Sequence, residues 1–251
     1  MPYVVITGAS SGIGYASALA FAGRNKDLIL TARRKQKLEE LKSTIHEINP
    51  NIDVVVFTAD LSDSDEVRHL YARTKAYELE TWINNAGFGE YASVAEQDLA
   101  KVENMLKLND LAPTILSSLF VRDYAAKEGT QLINVSSDGG YTMVGNFVTY
   151  CATKFFVSAF TEGLAQELLA EGSPMRAKVL APAVTETEFA HRAMNVETFD
   201  YKASFGQIHT PERVAQFLLD LYDSDKAVGL VNGETNQFEL RDPLFPYITK
   251  G

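Results

Sequence analysis

The stretch TGASSGIG at residues 7–14 decides the fold of this chain. It follows a short apolar run, residues 3–6, and opens a segment with helical periodicity. In such a strand–turn–helix unit, Gly8 permits the tight turn, Gly12 lets the main chain approach a pyrophosphate, and Gly14 lets the helix pack closely on the strand. Free N–H groups at the helix start then face the phosphates. The spacing is G-x-x-x-G-x-G rather than G-x-G-x-x-G, so a glycine-rich turn without a ligand is the alternative interpretation.

The segments beyond this turn alternate between strand and helix patterns. Apolar runs predict strands at residues 3–6, 28–30, 52–57, 82–83, 131–135, 176–180 and 228–231. Helical periods predict helices at residues 13–23, 35–48, 99–126, 149–169 and 211–222, and a capping box at residues 62–65 opens another. Such alternation implies right-handed crossovers covering both faces of a parallel sheet. The predicted fold class is therefore α/β, a single-domain, Rossmann-type, doubly wound parallel sheet of about seven strands flanked by helices.

The chain reads as one unit. No linker, charge run or internal repeat divides residues 1–251, which are predicted to form a single NAD(P)-binding domain. Residues 185–210 have no steady period, and a connection of 26 residues is too long to be idle. This stretch is predicted to be a lid over a site.

Composition excludes several classes of function. The chain has 23 Lys and Arg against 33 Asp and Glu, and a net charge of −10 would repel a nucleic acid. A single cysteine, Cys151, excludes an internal disulfide, and four scattered histidines give no support to a metal site. The first residues do not resemble a signal peptide, and no apolar run approaches the roughly 18 residues of a membrane span. These features predict a cytoplasmic protein without metal, membrane or nucleic-acid partners.

Three strand ends carry residues suited to a dinucleotide. Strand two ends in Ala32-Arg33 rather than in an acidic residue, and a guanidinium binds a 2′-phosphate that a carboxylate would repel, so Arg33 predicts NADP(H). The alternative is a solvated basic helix start. Asp60-Leu61 ends strand three, where the carboxylate either accepts from the adenine amino group or caps the next helix. NNAG at residues 84–87 leaves room for a ligand after strand four, or forms an ordinary Asx turn.

A tyrosine and a lysine at helical spacing suggest acid–base chemistry. The pattern Tyr-x-x-x-Lys occurs three times, beginning at Tyr71, Tyr150 and Tyr222. Spacing of i, i+4 puts both side chains on one helix face, where an ammonium lowers the pKa of the phenol. Only Tyr150 opens a helix directly after a strand, at the edge of the sheet where chemistry occurs in this fold. We therefore predict that Tyr150, with Lys154, donates and accepts the proton.

A serine at the end of strand five completes this group. Ser137 precedes Tyr150 by 13 residues and can steady a substrate oxygen against it. TGASSGIG, NNAG, this Ser-to-Tyr spacing and a late Pro turn, in this order, resemble the short-chain dehydrogenase/reductase family, in its compact subclass of about 250 residues. The resemblance covers residues 3–190. It implies a Rossmann-type sheet, a nicotinamide cofactor, an assembly of two or four identical chains, and a catalytic tetrad.

The resemblance also assigns site residues. The tetrad is Asn109, Ser137, Tyr150 and Lys154, in which Asn109 would hold a water connecting Lys154 to solvent and Lys154 would bind the nicotinamide ribose. A plain polar helix residue is the alternative for Asn109. The turn after strand six is Pro182-Ala183 instead of Pro-Gly, and Thr187 falls where the family's threonine meets the carboxamide. The predicted cofactor-binding residues are Gly8, Ser10, Ser11, Gly12, Ile13, Gly14, Arg33, Asp60, Leu61, Asn85, Ala86, Gly87, Tyr150, Lys154, Pro182, Thr185 and Thr187.

These features predict an NADP(H)-dependent oxidoreductase that transfers hydride between nicotinamide and a carbonyl or alcohol substrate. Aromatic and apolar residues in segments that border the site in relatives suggest a small, hydrophobic substrate, or else belong to the core or an interface: Phe88, Tyr141, Met143, Phe147 and Phe189. Asp138 adds a negative charge beside Ser137 for which the sequence offers no role. The rival function is a catalytically idle, cofactor-sensing regulatory or scaffold protein on the same fold.

Overall fold

A computed structural model describes residues 1–201, 204, 206–233 and 235–248. Eight strands form one sheet in the order β3-β2-β1-β4-β5-β6-β7-β8. Their bounds are β1 Tyr3–Thr7, β2 Asp27–Ala32, β3 Val54–Thr58, β4 Leu79–Asn84, β5 Gln131–Val135, β6 Arg176–Ala181, β7 Val228–Val231 and β8 Phe238–Arg241. All neighbouring strands run parallel except β8, which is antiparallel to β7. The single-domain α/β fold with a mostly parallel sheet is thus confirmed.

Helices cover both faces of the sheet. Their bounds are α1 Gly12–Gly23, α2 Lys35–Ile48, α3 Ser64–Thr74, α4 Leu99–Leu106, α5 Ala112–Tyr124, α6 Val148–Ala170, α7 Phe189–Met194 and α8 Pro211–Asp223. A π-helical segment, Lys107–Leu111, joins α4 to α5, and a short 3₁₀ turn, Asp138–Gly140, follows β5. Among the described residues, no helix has the length and apolarity needed to cross a membrane.

The period of two in the central strands divides the core between the two faces. In β1, Val4 and Ile6 belong to the cluster under α1, α2 and α8, whereas Val5 belongs to the cluster under α3, α5 and α6. All three side chains are fully buried. This is why the strand reads as a continuous apolar run rather than an alternating one.

The sheet has one strand more than predicted. β8 consists of Phe238, Glu239, Leu240 and Arg241, so it lacks the apolar run that marks a strand buried on both faces. It is an edge strand held through Phe238, whose ring stacks on Phe217 at a centroid distance of 4.4 Å. The prediction of about seven strands missed β8 because an edge strand needs only one such anchor.

Two helix predictions were also wrong in detail. The continuous helix predicted over 99–126 is broken by the π segment, because Pro113 has no N–H to donate to the carbonyl of Asn109 four residues earlier. The predicted capping box at Ser62 does not form. Asp63 caps α3 instead, accepting from the N–H groups of Asp65 and Glu66.

Candidate active site

A cleft of about 650 Å³ opens at the carboxyl ends of β1 to β4. It lies where the strand order reverses between β1 and β4, the usual ligand position in an open α/β sheet. Twelve of the predicted cofactor-binding residues line it: Gly8, Ser10, Ser11, Gly12, Ile13, Arg33, Asp60, Leu61, Asn85, Ala86, Gly87 and Thr187. Pro182 and Thr185 are not among the lining residues. The Pro182 carbonyl accepts from the N–H of Asp138, and the Thr185 hydroxyl donates to the Ala183 carbonyl.

The glycine turn forms a cradle that larger residues would fill. Gly8 and Gly12 both have left-handed φ angles, of 69° and 57°. Gly14 does not line the cleft but packs beneath the turn, since a Cβ there would lie 2.5 Å from the Gly8 carbonyl oxygen and from Asn85 Nδ2. Ser11 precedes α1 without a side-chain hydrogen bond that caps it within the described structure. The first N–H groups of α1 therefore remain suited to an anion such as a pyrophosphate.

Thr7 ties the turn after β4 to the glycine turn. Its Oγ1 accepts from the N–H groups of Asn85 and Ala86, at 2.9 and 3.1 Å. The Asn85 side chain donates to the Thr7 carbonyl at 2.8 Å. These bonds hold Gly87 at the floor of the cleft, where an added Cβ would lie 3.1 Å from Asn109 Oδ1 and 3.5 Å from Lys154 Nζ. Gly87 therefore adjoins both the cleft and two residues of the predicted tetrad, although no tetrad residue is among those that line the cleft.

Two neighbouring arginines lie on the side of the cleft after β2. Arg33 has a 64% exposed side chain, whose only described ion pair is a long contact of 3.8 Å with Asp60. Arg34, which the sequence prediction omitted, donates to Ser11 Oγ at 2.7 Å and to Ser10 Oγ at 3.1 Å. It also pairs with Glu188 at 3.0 Å. Arg34 directly follows Arg33, so its position in the chain was the signal that could have found it.

Asp60 does not cap α3. Its Oδ1 accepts from the N–H and the hydroxyl of Ser62, at 3.0 and 2.8 Å, which makes an Asx-type turn. The N–H group of Asp60 donates to Glu66. The hydrogen bonds from Ser62 and the positive charge of Arg33 lower the pKa of Asp60 against the opposing effect of burial.

Ser137, Tyr150 and Lys154 meet at the carboxyl edge beside the cleft. Ser137 follows β5, Tyr150 is the third residue of α6, and Lys154 lies one turn further along that helix. Ser137 Oγ and the Tyr150 ring both lie beside Gly139, where an added Cβ would be 3.4 and 3.8 Å from them. Lys154 Nζ donates to the Val135 carbonyl at 3.0 Å and lies 5.8 Å from the centroid of the Tyr150 ring.

The electrostatics of this group differ from the sequence expectation. Burial is the largest effect on Tyr150 and raises its pKa, while the polar interaction with Ser137 opposes the rise. Burial also lowers the pKa of Lys154 to about 8, opposed by the carboxylate of Asp110. The prediction of a lowered phenol pKa was therefore wrong, because desolvation of the ring outweighs the other effects on it and the charge of Lys154 is not among them.

Asn109 is a buried residue of the π segment, and both polar atoms of its side chain form hydrogen bonds. Its Oδ1 accepts from the Phe88 N–H at 3.1 Å, and its Nδ2 donates to the Phe88 carbonyl at 2.9 Å. Nδ2 also donates to Thr153 Oγ1 at 3.1 Å, and the Thr153 hydroxyl donates to the Tyr150 carbonyl. Thr153, missed from sequence, thus links Asn109 to the helix that carries Tyr150.

The other two Tyr-x-x-x-Lys pairs lie elsewhere. The Tyr71 hydroxyl donates to the Leu119 carbonyl and to Asp123, both at 2.9 Å, and the residue is buried between the sheet and the helices α3 and α5. The Tyr222 hydroxyl donates to Glu80, near the amino end of β4 and thus at the opposite edge of the sheet. Neither contacts the cleft.

The predicted apolar residues divide into two groups. Phe88 and Phe189 line the cleft, and the rings of Phe147 and Phe189 pack on Tyr150 at centroid distances of 5.7 and 5.2 Å. Tyr141 instead points away, donating to the buried Glu162 and stacking on Phe245. In the predicted lid, the short helix α7 brings Phe189 over Tyr150. Residues 202, 203 and 205 of that lid lie outside the described residues.

The fold and site define a class of protein, a nucleotide-binding α/β domain with a Ser, Tyr and Lys group beside the cofactor cleft. A family model described as short chain dehydrogenase matches residues 2–197, and the chain belongs to this family of oxidoreductases. Human dehydrogenase/reductase SDR family member 11 is 28% identical over 223 residues, which cover 86% of each chain.

Solved structures agree with this assignment. A short-chain dehydrogenase from Sphingobium yanoikuyae in complex with NADPH is 28% identical, with a TM-score of 0.82 over 91% of this chain and 87% of that one. A bulky-bulky ketone specific alcohol dehydrogenase from Comamonas testosteroni is 26% identical, with a TM-score of 0.78 over 91% and 85%.

Proposed function

We propose that this protein is an NADP(H)-dependent carbonyl reductase, or the corresponding alcohol dehydrogenase, with Tyr150 as the general acid and base. The observation that carries the proposal is the Ser137–Tyr150–Lys154 group beside the cleft that the glycine turn opens. The other two tyrosines of the same spacing face neither the cleft nor the group.

The residues of the cleft suit a phosphorylated dinucleotide. The glycine turn and the start of α1 would hold the pyrophosphate. Arg33 is exposed and only loosely paired, so its guanidinium is free to meet a 2′-phosphate. The NADPH in the similar Sphingobium structure supports the same choice of cofactor. Asp60 and Leu61 border the position expected for the adenine, and Thr187 that expected for the carboxamide.

The chain's own groups handle the proton and the substrate oxygen. Bound NADPH would supply the hydride that the carbonyl carbon accepts. Tyr150 would give its phenolic proton to the carbonyl oxygen as the carbon–oxygen double bond is reduced, and Ser137 would hold that oxygen by a hydrogen bond. Lys154 would bind the nicotinamide ribose and stabilise the tyrosinate left behind. Asn109, locked by Phe88 and Thr153, would keep the π segment in place beside Lys154.

The pocket favours an apolar substrate. Phe147 and Phe189 surround Tyr150, and Phe88 lies on the adjoining wall. Burial of such rings against a ligand contributes about 25 cal/mol per Å². The ketone-specific enzyme from Comamonas testosteroni is consistent with such a substrate. We infer that residues 185–210 act as the lid, because Phe189 already lies over the phenol ring.

A panel assay tests this function. Hydrophobic aldehydes, ketones and diketones are offered with NADPH, and consumption of the reduced cofactor is followed by absorbance. We expect turnover of at least one class of carbonyl. Tight binding of NADPH by calorimetry without turnover across the panel would favour the idle, cofactor-sensing alternative.

A further inference from the structure

Asp138 is an acidic group in direct contact with Ser137. Ser137 Oγ donates to Asp138 Oδ1 at 2.8 Å, and the Gly139 N–H donates to the same oxygen at 2.7 Å. Gly139 N–H also approaches Ser137 Oγ at 3.1 Å. A serine hydroxyl carries one proton, so a proton given to Asp138 is not available to another acceptor.

Among the described residues, no positively charged group pairs with the carboxyl of Asp138. Within the described structure, Asp138 forms no ion pair, and it is half-buried. Burial raises its pKa, while the hydrogen bonds from Ser137 and Gly139 oppose the rise. The group therefore titrates nearer to neutral pH than an exposed aspartate does.

The titratable groups that face Asp138 come from one helix. Tyr150 and Cys151 of α6 both interact with its charge, which raises the pKa of each. Lys154 on the same helix turns its ammonium to the Val135 carbonyl. On the other side, β6 is followed by Pro182, whose carbonyl accepts from the Asp138 N–H.

The two basic residues of β6 are engaged away from Asp138. Lys178 Nζ donates to the carbonyls of Leu221, Tyr222 and Ser224, and Arg176 donates to the Asp225 carbonyl. Neither contributes to the pKa of Asp138.

We propose that Asp138 is a positioning residue that decides which way the Ser137 hydroxyl points, and thereby whether that hydroxyl can donate to the substrate oxygen. This inference rests on the proposed function. When Asp138 is ionised, it accepts a hydrogen bond from the Ser137 hydroxyl, and Ser137 Oγ presents only lone pairs to the substrate. When Asp138 is protonated, it donates to Ser137 Oγ, and the serine proton is free for a carbonyl oxygen.

Both directions of the reaction pass through the same transition state. A carbonyl oxygen can only accept, so reduction needs the protonated Asp138 and a donating Ser137. In the reverse direction the alcohol gives its proton to Tyr150, and its oxygen needs the same hydrogen bond from Ser137. The proton on Asp138 comes from solvent and is not consumed, because Tyr150 supplies the proton that ends on the product. Carbonyl reduction should therefore fall as pH rises through the titration of Asp138.

Asp138→Asn tests the inference through a pH profile. The amide keeps the acceptor for Gly139 but does not titrate, so the inflection in kcat/KM for reduction that belongs to Asp138 should disappear. In the wild type, loss of one donor to the developing oxyanion should lower that constant by roughly 100- to 1,000-fold across the inflection. Asp123→Asn is the matched control, since Asp123 also accepts a hydroxyl hydrogen bond, from Tyr71 far from the site. It should keep the wild-type profile. Parallel profiles for wild type and Asp138→Asn would overturn the proposal.

A second measurement needs no substrate. The side-chain carboxyl carbon of Asp138, assigned through its own main-chain resonances, is followed by NMR across the acid range in the wild-type protein. A midpoint clearly above the ordinary aspartate value of about 3.9 supports the switch, and a midpoint at or below that value overturns it. Absence of turnover with every carbonyl would count against the proposed function alone, because the titration of Asp138 would still decide the state of Ser137.

Discussion

Arg33 and Arg34 are adjacent in the chain but have different surroundings. Arg34 is tied to the hydroxyls of Ser10 and Ser11 in the glycine turn, whereas Arg33 extends into solvent. The exposed guanidinium of Arg33 can form charge-assisted hydrogen bonds with a 2′-phosphate. The guanidinium of Arg34 instead supports the glycine turn, which should contact NADH and NADPH alike. The two residues should therefore affect cofactor binding in different ways.

Arg33→Ala should raise KM for NADPH and hardly change KM for NADH. A charged hydrogen-bonding partner contributes roughly 1.5–3 kcal/mol, or about 10- to 150-fold in KM. Arg34→Ala is the comparison, and it should weaken both cofactors because it loosens the turn that holds the pyrophosphate. Steady-state kinetics with each cofactor measure both effects. Equal losses for NADPH and NADH in Arg33→Ala would contradict the assignment.

Single residues were predictable where a motif and its place in the fold agreed. Tyr150 could be separated from Tyr71 and Tyr222 because it alone follows a strand end. The raised pKa of Tyr150 was not predictable, since it depends on how deeply the ring is packed. Thr153 and Asp138 were missed as partners for the same reason. Their roles depend on contacts to Asn109 and Ser137 that no spacing in the chain encodes.

Among the elements, the π segment contains a buried polar group that is unfavourable for stability. Asp110 Oδ1 is buried there without a hydrogen-bond partner in the described part of the chain. Burial raises the pKa of Asp110 to about 7, and the positive charge of Lys154 only partly opposes this. In the unfolded chain the same carboxyl titrates near 3.9. The folded state thus binds more protons between about pH 4 and pH 7, and its stability falls as pH rises through that window.

Asp110→Asn should remove this pH dependence. The variant should gain stability relative to the wild type between pH 5 and pH 8, by about 1–2 kcal/mol once partial exposure of the carboxyl is allowed for. Urea unfolding at the two pH values measures the difference. The exposed Asp65 provides a control, because Asp65→Asn should shift stability equally at both. An equal shift for Asp110→Asn as well would show that the carboxyl is already ionised at pH 5.

Elements with a strong internal period were predicted well. α2 begins at Lys35 and ends at Ile48 as its apolar spacing indicates, and β5 and β7 have the predicted bounds. The failures have physical causes that lie outside a local pattern. β8 is stabilised by the contact of Phe238 with Phe217, and α7 is a short helix inside an irregular stretch. Pro113 was visible in the sequence, but a proline is also common in the first turn of an ordinary helix, so it did not by itself predict the π segment.

For the whole molecule, the exposed apolar residues point to assembly. Leu99, Leu106 and Leu111 are exposed on and between α4 and α5, and Phe156 is exposed on α6. We expect a homodimer or homotetramer in which these helices meet their symmetry mates, since closed symmetry is the usual form of a soluble assembly. Light scattering at micromolar concentration measures the mass directly. A monomer at that concentration would contradict the expectation.

In the whole sheet, the proposed chemistry occurs at the carboxyl edge. Tyr150 lies at the carboxyl edge of the sheet beside Ser137. Tyr71 lies between the sheet and the helices α3 and α5, and Tyr222 lies at the amino edge of the sheet. All three begin the same Tyr-x-x-x-Lys pattern, so changing each to phenylalanine removes the same hydroxyl from the same local sequence. The comparison therefore tests position in the fold rather than the motif.

The most direct measurement is kcat for carbonyl reduction with NADPH in Tyr150→Phe, Tyr71→Phe and Tyr222→Phe. Tyr150→Phe should still bind NADPH, because the glycine turn and Lys154 remain, but should lose at least the 10²–10⁴-fold that is typical of a missing general acid. The other two should keep kcat almost unchanged, even where loss of a buried hydrogen bond lowers stability by about 1 kcal/mol. Nearly full activity in Tyr150→Phe, or loss of activity in either of the others while it remains folded, would contradict the proposed mechanism.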